Sequence, residues 1–121
     1  MEKKKTLVLG ASENPARYSN LAINRLKNNQ HPVFAIGRRK GIVAGISIET
    51  DKIQLKGIDT ITLYLNPAHQ KEYYDYIISL HPKRIIFNPG TENDELAELA
   101  LKNNIKPQEA CTLVLLSTGQ Y

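Results

Sequence analysis

The sequence predicts an α/β protein, a Rossmann-like parallel sheet of about five strands with helices on both faces. Three observations carry this. Short apolar runs alternate with longer segments of helical periodicity along the chain, an order that requires parallel strands joined by crossover helices. Most of the apolar runs stop at a glycine or a polar turn. The 121 residues, 41% hydrophobic and 23% charged, have ordinary globular composition and suffice for one core. Residues 1–121 are therefore read as a single domain.

The first strand is the run Thr6-Leu7-Val8-Leu9, ending at Gly10. A helix over about Arg17 to Asn29 follows, with Tyr18, Leu21, Ala22 and Leu26 at helical spacing. Pro32 to Ile36 is the second strand, broken by Gly37. From Gly37 to Gly57 the chain is irregular, although Gly45-Ile46-Ser47-Ile48-Glu49 alternates well enough for a small hairpin or edge strand. Asp59 to Leu65 forms the third main strand. Pro67 then opens a helix that runs to about Leu80 and stops before Pro82. Arg84 to Phe87 is the fourth strand. The next helix, about Glu92 to Asn103, turns Leu96, Leu99 and Ala100 inward, with Thr91 or Asn93 as cap and Asp94 and Glu95 in its first turn. Ile105 opens a fifth short element, and Thr112 to Leu116 is an apolar tail of open conformation.

Composition excludes several classes. The single cysteine, Cys111, forbids an internal disulfide framework and a thiolate metal cage, and reads as a small buried hydrophobe. His31, His69 and His81 are scattered without metal-ligand spacing and read as surface or packing residues. The apolar run after Lys3-Lys4-Lys5 is too short for a signal-peptide core or a membrane span, so the lysines read as a solvated leader and the protein as cytoplasmic. The formal net charge of +4 suggests an anionic partner. Apart from the leader, the densest basic group is Arg38-Arg39-Lys40, and one clustered loop is a poor footprint for nucleic acid. A protein partner or a homo-oligomer is compatible with the sequence, and nothing in it points to one.

Ligands of parallel sheets bind at the carboxyl ends of the strands, so three loops matter. The first, Gly10-Ala11-Ser12-Glu13-Asn14-Pro15-Ala16-Arg17, leads into a helix N-terminus, where free N–H groups and the helix dipole favour an anion. It departs from the dinucleotide fingerprint, with Ser12 and Pro15 in place of the second and third glycines. The second reads Gly37-Arg38-Arg39-Lys40-Gly41 and lacks the carboxylate that usually holds a ribose at this position. A phosphorylated ribose suits it better, and the candidates are NADP and coenzyme A. The third is Phe87-Asn88-Pro89-Gly90-Thr91-Glu92-Asn93, where Gly90 lets backbone approach a ligand.

Together the loops resemble the CoA-binding domain family, whose members include the N-terminal domain of the succinyl-CoA synthetase alpha subunit and small stand-alone proteins. Val8 to Ser19 is similar to that family's first strand and phosphate loop, Thr62 to Pro67 to its third strand and turn, and Phe87 to Glu95 to its fourth loop. Cys111 falls near a cysteine often seen after the family's last strand. The resemblance implies that Ser12 to Pro15 line the coenzyme pyrophosphate, that Lys40 contacts a coenzyme phosphate, and that Phe87, Asn88 and Pro89 touch the coenzyme. Residues Ile42 to Gly57 match the family loosely. The chain ends where the synthetase's second domain, with its phosphorylated histidine, would begin, so synthetase activity is not implied. The resulting expectation is non-catalytic binding of coenzyme A or acyl-CoA. The alternative is a small NADP-linked or acyl-CoA-handling enzyme.

Overall fold

The computed structural model describes residues 2–121. Its strands are β1 (Thr6–Ala11), β2 (Val33–Gly37), β3 (Gly41–Val43), β4 (Ile46–Glu49), β5 (Thr60–Leu63), β6 (Arg84–Phe87) and β7 (Lys106–Glu109). The helices are α1 (Tyr18–Asn28), α2 (Pro67–Gln70), α3 (Tyr74–Ser79), α4 (Asp94–Lys102) and α5 (Thr112–Ser117). The strands form one sheet of seven in the order β3-β4-β2-β1-β5-β6-β7, parallel throughout except for the β3–β4 hairpin.

The alternation of side chains along the strands builds two cores. Leu7, Leu9, Ile61, Leu63, Ile85 and Phe87 face one side, where Ile77 of α3 and Leu96 and Ala100 of α4 cover them. Val8, Ala35 and Ile86 face the other, under Ile23 and Leu26 of α1 and Leu115 and Leu116 of α5. Burying both faces is what a parallel sheet requires. Strand order reverses at β1, whose neighbours are β2 and β5. That reversal parts the loops above β1 and β5 and opens a crevice at the carboxyl edge.

Several expectations change. The sheet has seven strands instead of about five, because the irregular stretch supplies β3 and β4 and the fifth element becomes an edge strand. β7, Lys106-Pro107-Gln108-Glu109, has no apolar pattern and is held by its backbone ladder to β6. An edge strand tolerates its proline. The helix expected from Pro67 to Leu80 is interrupted by a 3₁₀ turn at Lys71–Tyr73. Tyr18 and Leu21 point outward, 71% and 38% exposed, because Ala22, Ile23 and Leu26 set the buried stripe of α1. The tail from Thr112 is helical. Cys111 is only partly buried and forms the N-terminal boundary of α5. The lysine run is tied down rather than free: Lys3 Nζ donates to Asn29 O, Lys4 Nζ to Tyr121 O and Lys5 Nζ to Lys56 O.

Candidate functional site

Two glycines shape the carboxyl edge. Gly10 has φ +101° and marks an irregularity in the β1–β2 register. A Cβ there would lie 2.9 Å from the carbonyl carbon of Tyr64, so only glycine lets β1 press against the end of β5. Gly37 closes the other side: a Cβ built on it would overlap the carbonyl oxygen of Ala11.

Above them lies a cleft of about 850 Å³, within the range of small-ligand and cofactor sites. The structure brings Gly10, Ala11, Ser12, Glu13, Asn14 and Arg17 of the first loop together with Gly37, Arg38, Arg39 and Lys40 of the second and Pro89 and Gly90 of the third. A shallower recess of about 380 Å³ lies away from this edge, where Lys71 and Lys102 are balanced by Glu95 and Glu98.

The first loop is wound on itself. Asn14 N–H donates to Ser12 Oγ at 3.0 Å, and Ala16 N–H to Asn14 Oδ1 at 3.0 Å. Asn20 Nδ2 donates to Ser12 O at 3.1 Å. Ser12 Oγ accepts in this arrangement, so its own proton remains available to a ligand. Helix α1 starts from Arg17, which makes no side-chain cap, and its first turn holds no acidic residue. The opening N–H groups of α1 and the positive end of its dipole are left to water or a ligand.

The second loop carries its three cations exposed at the rim. Arg38 lines the cleft and is tied to its wall: its Nη2 donates to the imidazole of His69, 2.8 Å from Nε2 and 3.0 Å from Nδ1. Arg39 and Lys40 face the cleft beside it.

Three expected contacts lie elsewhere. Phe87 is 2% exposed in the core under α3 and α4. Asn88 is buried as a brace: its Nδ2 donates to Thr62 Oγ1 and Leu63 O, and its Oδ1 accepts from Thr112 N–H. These bonds use both N–H donors of the amide and one lone pair of its oxygen, in a side chain that is 3% exposed. Pro15 is exposed on the outer side of the first loop and does not line the cleft.

The chain matches the family model described as "CoA binding domain" over residues 4–117. It belongs to the CoA-binding domain family. No match was found among curated proteins. A crystal structure of an uncharacterized protein aligns with this CoA-binding domain over 100% of both chains, at 50% identity and a TM-score of 0.98. A hypothetical protein from Pyrococcus horikoshii aligns over 97% of this chain and 84% of its own, at 21% identity and a TM-score of 0.87. The apo dinucleotide-forming acetyl-coenzyme A synthetase 1 of Ca. Korarchaeum cryptofilum aligns over 87% of this chain and 26% of its own, at 13% identity and a TM-score of 0.71. The last two likenesses show the fold alone.

Sequence reasoning missed one wall of the cleft. Because β5 lies beside β1, the loop after it contributes Tyr64, Leu65 and Asn66, α2 contributes His69, and Tyr73 follows from the 3₁₀ turn. The signal was available in Thr62 to Pro67, a strand running into an Asn-Pro helix start, where Asn66 Oδ1 caps His69 N–H at 3.1 Å. The Tyr64 hydroxyl is buried without a hydrogen-bond partner, and that burial pushes its pKa up to about 12. It stays protonated at neutral pH. No helix of the described residues is long and apolar enough to cross a membrane, and no metal-binding cluster of His, Cys, Asp or Glu is found among them.

Proposed function

We propose that this CoA-binding domain holds coenzyme A or an acyl-CoA in the cleft above β1 and that it acts as a binding module, without catalysing a reaction. The observation that carries the reading is the meeting of an uncapped helix N-terminus with Arg39 and Lys40 across one cleft. A pyrophosphate suits the first, and a ribose phosphate suits the second. The carboxylates of the cleft belong to Glu13 and Glu72, and neither stands at the end of β2, where a free ribose diol would be held.

A thermal-shift panel of CoA, acetyl-CoA, NADP and NAD tests this. CoA at a hundred times its dissociation constant should stabilise the protein by about 2.7 kcal/mol, and NAD should not. A larger shift with NADP than with CoA would favour an NADP-linked enzyme. Lys40→Ala should weaken CoA by roughly tenfold or more, as expected for a charge-assisted contact, and leave folding stability within about 0.5 kcal/mol. If Lys40 serves the ribose phosphate, mutant and wild type bind dephospho-CoA equally. Unchanged affinity for CoA would return the loop to a solvated basic turn.

A further inference from the structure

The basic loop is fastened to the phosphate loop by one side chain. Glu13 reaches from the first loop to the second, and its Oε2 accepts the N–H of Ile42 at 2.9 Å. Gly41 lies directly beneath this carboxylate, where any Cβ would overlap it. A glycine at position 41 thus leaves room for the bridge, and Ile42, the first residue beyond it, supplies the donor. On the other side of the loop, Arg38 rests on His69. Arg39 and Lys40 stand between these two attachments.

A carboxylate lining a cleft for an anion is electrostatically adverse, so its presence needs a reason. The hydrogen bond to Ile42 supplies one. Three exposed basic residues flanked by Gly37 and Gly41 form a loop that loses backbone freedom when a ligand orders it. A loop held in place beforehand avoids most of that loss on binding. We propose that Glu13 is a positioning residue: it clasps the basic loop to the phosphate loop, so that Arg39 and Lys40 are presented before a ligand arrives. The ligand side of this inference rests on the coenzyme reading; the clasp itself does not.

The test uses the whole chain without ligand first. Limited trypsin digestion, with first cuts mapped by mass spectrometry, reads the opening of the loop at Arg38, Arg39 and Lys40. Amide hydrogen exchange reads Ile42 N–H. Glu13→Ala should speed both by about fivefold, the loss of one ordinary hydrogen bond. Glu13→Gln keeps an acceptor oxygen and should stay within about twofold of wild type. In a CoA titration, Glu13→Ala should weaken binding by about fivefold and Glu13→Gln should restore it. The clasp is overturned if Glu13→Ala leaves cutting and exchange unchanged, if Glu13→Gln loosens the loop as much as Glu13→Ala, or if Glu13→Ala binds CoA more tightly because a repelling charge has gone. A wild-type chain that ignores CoA while Glu13→Ala loosens the loop would defeat the coenzyme reading and leave the clasp standing.

Discussion

Helices α1 and α4 start at the same edge of the same sheet, and their first turns are opposite in character. At α4, Asn93 accepts from Leu96 N–H, Asp94 and Glu95 face the positive end of the dipole, and Asn93 Nδ2 is itself tied to Gln70 Oε1 and Tyr74 Oη. At α1, the boundary residue is Arg17, no side chain caps the turn, and no acid is present. One helix start is satisfied by its own residues, whereas the other is left electrostatically open over a cleft. Of these two helix N-termini on one rim, the one over the cleft is the one left open to an anion.

Breaking the platform under α1 should have the largest effect. Gly37→Ala drives a methyl into the Ala11 carbonyl, and overpacking of this kind costs about 1–3 kcal/mol. Urea unfolding should show that loss and calorimetry the loss of CoA binding, with the α4 end unchanged. A fully stable Gly37→Ala protein would mean that β1 and β2 can part without harm.

Giving α1 its own cap sharpens the contrast. Arg17→Asp places a good N-cap and an acid at the dipole's positive end, and should raise stability by roughly 1 kcal/mol. The same change removes a cation and adds a carboxylate beside the phosphate loop, so CoA should bind at least about tenfold more weakly. Stability up and affinity down in one variant is the signature; equal affinity would mean that the open end is not used by the ligand.

The mirror change is Asn93→Ala. It removes the α4 cap and should cost about 1–2 kcal/mol in denaturant unfolding. CoA affinity should remain within about twofold of wild type, because Asn93 is engaged on the far face with Gln70 and Tyr74.

The smallest effect comes from the opposite, amino edge of the sheet. His31 is 3% exposed, accepts Lys4 N–H at Nδ1, and leaves Nε2 buried without a partner. Burial first, then Lys3, Lys4 and Arg84, hold its pKa below the usual histidine value. As pH falls, the unfolded chain takes up the proton before the folded one. This contribution is therefore complete above about pH 6.5 and is lost as pH drops below it, no faster than about 1.4 kcal/mol per pH unit. Urea midpoints at pH 7.5 and 5.5 should differ less in His31→Asn than in wild type. An identical pH dependence would remove His31 from the account.

Much of the molecule was legible because local patterns carry it. Leu7, Val8 and Leu9 alternate between two faces and find two cores, and Arg84 to Phe87 forms a strand with the expected ends. Asp94 and Glu95 after Asn93 announced the start of α4, and the glycines with Arg38, Arg39 and Lys40 marked the anionic edge. Less legible was the phase of α1: Tyr18 and Leu21 share the helical period with Leu26, but Ile23 takes the core. Asn88 reads from sequence as a polar loop residue and turns out to be buried, because Thr62, Leu63 and Thr112 meet it from segments distant in sequence.

The alternation of strands and helices, the common rim of the loops after β1, β2 and β6, and the positive charge on that rim are written in the amino-acid order. These follow from residue periodicity, turn chemistry and charge, all properties of short segments. Long-range packing sets β5 beside β1 and brings Tyr64 and His69 into the cleft, carries Glu13 to Ile42, and makes a patternless segment into β7. Those are choices of strand order and side-chain reach between residues far apart in the chain. Local periodicity carries no information about which strand will pair with which.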